Sequence, residues 1–139
     1  MKRTLTFIVL CKDAGDYKEM SHAFSNQSGC SLLTISDDTE QVFTETCKLR
    51  PSAVVVNLAH MGELAIKLVQ RIVAECSTTA VICASRDCSP DLILKSMRAG
   101  ARDFMRLPII QDEITTVIER TAQFTEEHTA NEPRKGGRA

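Results

Sequence analysis

The sequence has no excess of charge of either sign. Its 17 Lys and Arg residues nearly balance its 18 Asp and Glu residues, and the formal net charge is −1 at pH 7. No run of Lys or Arg occurs before the last few residues. A protein that binds nucleic acid by neutralising many phosphates needs a concentration of basic side chains. The composition therefore argues against a nucleic-acid binder of that kind.

The spacings that mark metal and redox sites are also absent. No two cysteines form a C-x-x-C pair, and His22, His60 and His128 are far apart in the chain. Several cysteines fall in apolar stretches, where a thiol behaves as a small hydrophobic group. We therefore expect no metal, no cofactor, and reduced thiols typical of a cytoplasmic protein. The cysteines are Cys11, Cys30, Cys47, Cys76, Cys83 and Cys88.

Long hydrophobic runs are lacking as well. The apolar run 5–11 follows Lys2 and Arg3, but it is too short for a membrane span. It is also not followed by the small-residue cleavage site of a signal peptide, so we interpret it as a buried first strand. The K-G-G at 135–137 is not part of a phosphate-binding P-loop, because the spacing G-x-x-x-x-G-K-[ST] does not occur.

What the sequence does contain is a regular alternation of two hydrophobic patterns. Short β-rich apolar runs alternate five times with segments in which apolar residues recur at helical spacing. The third and fourth runs contain continuous apolar stretches, which are typical of parallel strands buried on both faces. The five predicted strands are 4–10, 31–35, 53–58, 79–84 and 102–105.

This alternation predicts an α/β protein with a five-stranded parallel sheet and helices on both faces. Five strands and five helices fit the flavodoxin-like strand order 2-1-3-4-5, in which the functional crevice lies at the carboxyl ends of strands one and three. The helical pattern fails after about Phe124. We therefore expect one domain over residues 1–124 and a polar linker or tail, at least partly disordered, over 125–139.

Capping residues and apolar stripes place the helices. Ser89 and Pro90 are a typical start of a helix, and Gly100 is a typical residue after its end. Asp13 is expected to cap the first helix, and Asp37 the second. The stripes expected to face the core comprise Tyr17, Met20, Phe24, Val42, Phe43, Thr46, Cys47, Leu64, Leu68, Val69, Ile72, Ile114, Val117, Ile118 and Thr121.

Three segments resemble the receiver domains of bacterial response regulators. A-G-A-R-D-F-M-R-L-P at 99–108 resembles the stretch that closes the fifth strand of that family. P-S-A-V-V-V-N-L at 51–58 resembles its third strand, and A-V-I-C-A-S at 80–85 its fourth. Together with the strand and helix order, the resemblance extends over residues 4–124 and implies a CheY-like receiver fold.

The chain departs from the family at the site of phosphorylation. The resemblance implies Mg²⁺ held by carboxylates after strand one and by the phosphoacceptor Asp at the end of strand three. Here the aligned positions carry a thiol, an ammonium and an amide, with a carboxylate one place later. A leucine replaces the lysine after strand five, and only a serine keeps its type. These positions are Cys11, Lys12, Asn57, Asp13, Leu107 and Ser85.

These replacements remove the chemistry of a receiver. An Asn amide is neutral and is not nucleophilic enough to accept a phosphoryl group as an Asp carboxylate does. Mg²⁺ prefers hard anionic oxygen ligands in octahedral geometry, and the ammonium of Lys12 would repel it. We therefore expect a non-phosphorylatable interaction and localisation module rather than an enzyme.

Two other functions stay open on the sequence. One is a genuine phosphorelay receiver that accepts phosphate on a displaced carboxylate such as Asp13. The other is a small-anion sensor whose emptied crevice is lined by Cys11, Asn57, Ser85 and Lys12. The reactivity of Cys11 also stays open, because a nearby lysine would lower the pKa of its thiol and burial would raise it.

Arg106 adds a resemblance to one particular group of receiver domains. The form A-G-A-R-[DE]-F-[ML]-R-L-P is similar to the atypical receiver domains that begin pilus assembly proteins of the TadZ/CpaE type. That resemblance implies a module of a pilus assembly or secretion machine, recruited to the cell pole. It also implies that a linker and a MinD/ParA-like ATPase domain follow. We expect protein partners, and neither nucleic acid nor a membrane span.

The resemblance to receivers implies a pairing surface as well. Receiver domains commonly pair through helix four, strand five and helix five, so we expect a homodimer whose charged side chains meet across a two-fold axis. Pro108 is expected to follow a cis peptide bond, as in the family. The residues expected on this surface are Ser96, Met97, Arg98, Phe104, Arg106 and Glu113.

Overall fold

A computed structural model of the chain describes residues 4–131, with side chains described to residue 128. In this range five strands alternate with five helices. The strands are β1 (Leu5–Leu10), β2 (Cys30–Ser36), β3 (Ala53–Asn57), β4 (Ala80–Ser85) and β5 (Asp103–Arg106). The helices are α1 (Ala14–Ser25), α2 (Thr39–Leu49), α3 (Glu63–Glu75), α4 (Pro90–Ala99) and α5 (Gln111–Asn131). All five predicted strands are present, and their ends differ from the predictions by at most one residue.

The strands form one parallel sheet in the order β2-β1-β3-β4-β5. Val55 of β3 pairs with Val9 of β1 on one side and with Ile82 of β4 on the other. This order confirms the predicted flavodoxin-like, CheY-like receiver fold. Because the strands are parallel, β1, β3 and β4 end at the same edge of the sheet.

Apolar side chains cover both faces of the sheet, because successive residues of a strand point to opposite faces. On one face, Phe7 and Val9 belong to a core that includes Phe24 of α1, whose ring centroid lies 5.0 Å from that of Phe7. On the other face, Ile8 and Leu10 pack in a second core with residues of α2 and α3. Each such buried side chain contributes about 1.5–3 kcal/mol relative to an exposed one.

Three predicted helix ends are present. The Asp13 carboxylate caps α1 by accepting the N–H of Asp16 at 2.9 Å, and Ser89 caps α4. The α4 helix ends at Gly100, whose φ of +119° lies in the left-handed region that favours glycine. A Cβ atom at Gly100 would lie 2.7 Å from Cγ2 of Val73 in α3. The glycine therefore ends α4 and also allows close approach to α3.

The predicted cap of α2 was wrong by one residue. Asp38 rather than Asp37 is the N-cap, and its carboxylate accepts the N–H groups of Glu40 and Gln41. The reason lies in the preceding strand, which extends one residue further than predicted. Its last residue, Ser36, accepts the N–H of Asp38 at 3.1 Å, and this turn moves the start of the helix along the chain.

Most of the predicted apolar stripes face the core, but three of their members do not. Leu64 is 60% exposed and Tyr17 is 40% exposed, and Cys47 is also exposed. Leu64 lies in the first turn of α3, and the buried side of that helix begins with the next residues, Ala65 and Ile66. Helical spacing alone did not separate the two sides at this end of the helix.

The last helix is longer than predicted. The pattern was expected to end near Phe124, but α5 continues to Asn131. Phe124 is buried, and the ring of His128 stacks on it one turn later at 3.8 Å between centroids. Residues 125–131 are therefore helical, and the rest of the predicted tail, 132–139, lies outside the described residues. Neither α5 nor any other helix in the described part of the chain is long and apolar enough to cross a membrane.

Candidate functional site

The edge of the sheet where β1, β3 and β4 end forms a groove of about 500 Å³. Its walls come from the turns after these strands and from the first turns of α3 and α4. Of the predicted positions, Asp13 and Ser85 line the groove. Lys12 is exposed outside the lining, whereas Cys11 and Asn57 are buried. The predicted lining of the crevice was therefore only partly right.

Asn57, the last residue of β3, is fully buried and both ends of its amide are hydrogen-bonded. Its Nδ2 donates to Oδ2 of Asp16 at 3.0 Å, and its Oδ1 accepts the N–H of Ala59 at 2.9 Å. A carboxylate at this position would have no proton to donate to Asp16. The local contacts therefore favour an amide over a carboxylate at the position where a receiver carries its phosphoacceptor.

Asp16, in the first turn of α1, is only 1% exposed. Its Oδ1 accepts hydrogen bonds from Nη2 of Arg86 at 2.6 Å and from Nε of Arg86 at 3.1 Å. The pair is completed by Asn57 on the other carboxylate oxygen. A buried charge is costly unless it is paired and hydrogen-bonded, and here both oxygens of the carboxylate are satisfied. Asp16 also holds the pKa of the Arg86 guanidinium above its ordinary value.

Neither Asp16 nor Arg86 was predicted as a site residue from the sequence. A signal for Asp16 was present, because it lies four residues before Met20 and eight before Phe24, on the buried stripe of α1. Arg86 directly follows β4 and so lies at the same edge of the sheet. A charged residue in an apolar stripe, with an opposite charge expected at that edge, would have indicated the pair.

A side-chain contact between His60 and Asp13 spans the groove. Nε2 of His60 lies 3.1 Å from Oδ2 of Asp13, and His60 has a positive φ of 63° in the turn after β3. The pKa of the Asp13 carboxyl is lowered, mainly by the N–H of Asp16 and then by the hydrogen bond with His60. Asp13 therefore joins the turns after β1 and β3 as well as capping α1.

The surroundings of Cys11 bear on the reactivity of its thiol, which the sequence left open. Its thiol is buried, and burial raises its pKa to about 11, against smaller opposing effects of hydrogen bonds. The Sγ atom donates to the carbonyl oxygen of Asp13 at 3.4 Å and lies 3.5 Å from Nδ2 of Asn57. Because the thiolate is the nucleophilic form, Cys11 is not an activated nucleophile at neutral pH.

The other predicted positions, Ser85, Leu107 and Pro108, lie in turns and in the core at the ends of β4 and β5. Ser85 is buried, and its Oγ accepts the N–H of Asp87 at 3.0 Å. Leu107 is 5% exposed and packs in the core on the α1 side of the sheet. The peptide bond between Leu107 and Pro108 is cis, as predicted. In the following turn, the N–H of Ile109 donates to Oε2 of Glu19 at 2.6 Å.

The magnesium ion that the family resemblance implies does not fit this donor set. At the aligned positions, the Cys11 thiol stays protonated, the Asn57 oxygen already accepts a backbone N–H, and Lys12 is a cation. Mg²⁺ prefers anionic oxygens, and the one buried carboxylate nearby, Asp16, is engaged on both oxygens. In the described residues, no group of three or more His, Cys, Asp or Glu could hold a metal ion.

The surface formed by α4, β5 and α5 differs in part from the prediction. Ser96 is fully buried and its Oγ donates to the carbonyl oxygen of Leu92, so it cannot belong to an exposed contact surface. It faces inward because it lies on the buried side of α4. Phe104 is half-buried and packs against the core on the α2 and α3 side. Met97 is 41% exposed and Arg98 is exposed.

Two ion pairs on this surface join charges within the chain. Nε of Arg106 lies 3.2 Å from Oε2 of Glu113, and Nη1 of Arg120 lies 2.9 Å from Oδ1 of Asp103. A partly exposed ion pair such as that of Arg106 and Glu113 contributes about 0–1 kcal/mol, whereas Asp103 is buried. Contacts between two copies of the chain would therefore have to exchange these pairs or use the apolar side chain of Met97.

Solved structures share this arrangement of strands and helices. A protein assigned to pilus assembly, from Burkholderia pseudomallei, is 16% identical with a TM-score of 0.78, and the match covers 87% of this chain and 91% of that chain. A CpaE protein assigned to pilus assembly, from Burkholderia thailandensis, is 17% identical with a TM-score of 0.76, over 86% and 98%. A response regulator from Thermotoga maritima is 23% identical with a TM-score of 0.75, over 86% and 98%.

These likenesses concern the fold. No protein-family model matches the sequence, and no curated protein matches it. The fold is that of receiver domains, and proteins of both response regulation and pilus assembly have it. At identities of 16–23%, fold likeness carries no activity from one protein to another.

Proposed function

We propose that this chain is a receiver-like protein-interaction module that does not accept a phosphoryl group. The observation that carries the proposal is the buried amide of Asn57, which donates to Asp16 and accepts from Ala59. The position of the acceptor carboxylate is thus filled by a group that is neutral, fully hydrogen-bonded and closed off from solvent. On this proposal the chain is not an enzyme, and it acts through its surface.

The contacts of Asp13 and Asp16 argue against phosphorylation of either carboxylate in place of residue 57. The carboxylate of Asp13 caps α1 and pairs with His60, and an acyl phosphate there would give up both contacts. Asp16 is buried and paired with Arg86, which in turn leaves that cation unable to stabilise a transferring phosphoryl group. The phosphorelay alternative would therefore require several of these interactions to break together.

The anion-sensor alternative is also disfavoured by the charges in the groove. Arg86 and Lys95 line it, but Arg86 is bound to Asp16 and Lys95 is bound to Glu63. Asp13 and Asp87 line it as well, so carboxylates face any entering anion. A free anion would have to compete with carboxylates that are already in place.

The module is further proposed to serve a pilus assembly or secretion machine of the TadZ/CpaE type. Support comes from the segment 99–108 and from the fold likeness to two proteins assigned to pilus assembly. Its partners would be a second copy of this chain, through α4, β5 and α5, and other proteins of the machine. A MinD/ParA-like ATPase domain in the full protein, and recruitment to the cell pole, belong to the same proposal.

The loss of phosphorylation is tested with acetyl phosphate and Mg²⁺. We expect no phosphoryl adduct on the native chain by intact mass, under conditions in which a genuine response-regulator receiver is modified. An Asn57→Asp variant serves as the comparison. It is expected to remain largely unmodified as well, because Cys11 and Lys12 still occupy the metal-ligand positions. A stoichiometric adduct on the native chain would overturn the proposal and restore the phosphorelay function.

The role in pilus assembly needs a separate measurement. Deletion of the gene in its own bacterium is expected to abolish surface pili, and a copy carrying the native Asn57 is expected to restore them. Pili of normal number on the deletion strain would contradict this part of the proposal and leave the phosphorylation result untouched.

A further inference from the structure

Two cysteines that are distant in sequence meet at the ends of α2 and α3. The Sγ atoms of Cys47, in the last turn of α2, and Cys76, the residue that caps the end of α3, are 3.6 Å apart. Cys47 is exposed and Cys76 is half-buried, so solvent reaches the pair. Neither residue belongs to the groove or to the α4–β5–α5 surface.

The two helices are joined at a second place by one arginine. The guanidinium of Arg71 in α3 lies 3.9 Å from the centroid of the Phe43 ring in α2. Its Nη1 also donates to Oε2 of Glu40 at 2.7 Å. A cation over an aromatic ring and an ion pair from the same side chain hold the helices together. The thiol pair is thus presented on two elements that already pack against each other.

We propose that Cys47 and Cys76 are a redox modification site that closes to a disulfide bond when the protein meets a low-molecular-weight disulfide. The sulfur atoms of a disulfide are about 2.05 Å apart, so the two thiols need to approach by about 1.5 Å. Cys76 follows the last residue of α3 and Cys47 is exposed, so side-chain rotation and a small movement at the helix ends supply this approach.

The reaction is a thiol–disulfide exchange in two steps. The thiolate of Cys47, the more exposed sulfur, attacks the small disulfide, breaks its S–S bond and releases one small thiol, which takes up a proton. Cys76 then loses its proton and attacks the Cys47 sulfur, and a second small thiol leaves with a proton. The protein loses two electrons and two protons, and the small disulfide gains them. Reduction by an excess of the small thiol reverses both steps.

Both the distance between the sulfur atoms and the pKa values of the thiols favour a bond between Cys47 and Cys76 over other cysteine pairs. Burial and the neighbouring Cys47 raise the pKa of the Cys76 thiol to about 11, so the first attack falls to Cys47. Burial likewise raises the pKa values of Cys11 and Cys83 to about 11. All six cysteines lie among the described residues, and there Cys47 and Cys76 form the one close sulfur–sulfur contact. No third ligand joins them in a metal-binding group within residues 4–131.

The test is incubation of the native chain with glutathione disulfide, followed by intact mass under denaturing conditions with free thiols blocked. We expect the loss of two hydrogen atoms and no retained glutathione. The tryptic map is expected to link peptides 19–48 and 72–86, and their fragment spectra are expected to assign the bond to Cys47 and Cys76 rather than to Cys30 and Cys83, which lie in the same two peptides. The cross-link closes a loop of 28 intervening residues, so the oxidised protein is expected to melt about 5–10 °C higher than the reduced one.

The matched variants are Cys47→Ser, Cys76→Ser and Cys88→Ser, the last removing a half-buried thiol that lies beside the carbonyl oxygen of Ser85. Cys88→Ser is expected to oxidise as the native chain does. The other two are expected to stop at a mixed disulfide with retained glutathione or to stay reduced. The tryptic map of the native chain needs no variant, so a misfolded variant leaves the test intact. A map without the Cys47–Cys76 link, or a disulfide between two chains, would overturn the proposal.

Discussion

The Asn57 amide and the Asp16 carboxylate depend on each other. The amide donates its proton to Oδ2 of Asp16, and Arg86 neutralises the carboxylate from the other side. Asn57 and Asp16 are buried, and each would be costly without its partners, because a buried polar group without a hydrogen bond loses its hydration uncompensated. The network explains why Asn57, at this edge of the sheet, is shielded from the solvent of the groove.

Exchange of the two groups tests this dependence. Asn57→Asp places two carboxylates together in a buried site and is expected to lower the free energy of unfolding by about 2–4 kcal/mol. The loss is expected to shrink in acid, where one of the two carboxyls carries a proton. Urea unfolding of the variant and the native chain at several pH values measures both effects.

The double variant Asn57→Asp with Asp16→Asn is the control. It restores one amide and one carboxylate at the same place, so it is expected to recover much of the lost stability, since the like-charge contact is gone. The coupling free energy of this double-mutant cycle reports the contact directly. If the two substitutions add with no coupling, the hydrogen bond between these residues does not carry the stability of the site.

At the scale of single residues, the sequence predicted where residues lie along the strands better than which side chains they contact. The positions of Cys11, Asn57 and Leu107 at strand ends were correct, because strand boundaries follow from hydrophobic pattern. The pairing of Asp16 with Arg86 was not predicted, because the two residues are 70 positions apart and only the folded sheet brings them together. Ser96 was misplaced for a similar reason, since small polar residues occur on either side of a helix.

At the scale of the secondary-structure elements, the end of α4 packs tightly on α3. Gly100 has positive φ, and the side chain of Val73 in α3 occupies the space where a Cβ atom would lie. Both conditions require glycine, but for different physical reasons: one concerns the backbone of α4 and the other its packing on α3. The two effects can be measured separately, because Gly29 also has a positive φ but has no neighbouring atom where a Cβ would lie.

Gly100→Ala is expected to lower the free energy of unfolding by about 2–4 kcal/mol, because left-handed strain and overpacking add. Gly29→Ala is the matched control, since φ there is +79° and no atom lies within 4 Å of the added Cβ. Its expected cost is about 1–2 kcal/mol, from backbone strain alone. Thermal or urea unfolding measures both. Equal costs for the two variants would mean that α3 simply moves away from the added methyl group.

The order and type of the elements could be predicted because each strand is a short apolar run between helical patterns. The bounds of α2 and α5 could not. A serine at the end of β2 moved the start of α2 by one residue, and the stacking of His128 on Phe124 extends the contacts of a polar segment. Both effects arise from side-chain contacts that hydrophobic periodicity does not record.

For the whole molecule, the proposed function requires a surface that recognises a second copy of the chain. The α4–β5–α5 surface offers Met97 as an exposed apolar side chain beside charges that are paired within the chain. A docking partner that replaces those pairs gains little from them, so the apolar contact is expected to carry more of the affinity. Substitution of Met97 is therefore the sharpest probe of the surface.

Sedimentation velocity over a range of concentrations is expected to give a dimer for the native chain. Met97→Asp is expected to weaken dimerisation at least tenfold, which corresponds to about 1.4 kcal/mol. Leu49→Asp is the matched control, because Leu49 is similarly exposed at 44% but lies on α2, which α3 separates from α4. A native chain that stays monomeric, or a Leu49→Asp variant that dissociates as readily, would contradict a dimer through this surface.

The buried network of Asp16, Asn57 and Arg86 also bears on how sequences of this kind change over generations. A change to aspartate at position 57 alone would place two carboxylates together, and loss of Arg86 alone would leave Asp16 without its cation. Each single change is thus expected to lower the stability of the chain, so selection for stability opposes it. Among homologous sequences these three positions are therefore expected to covary.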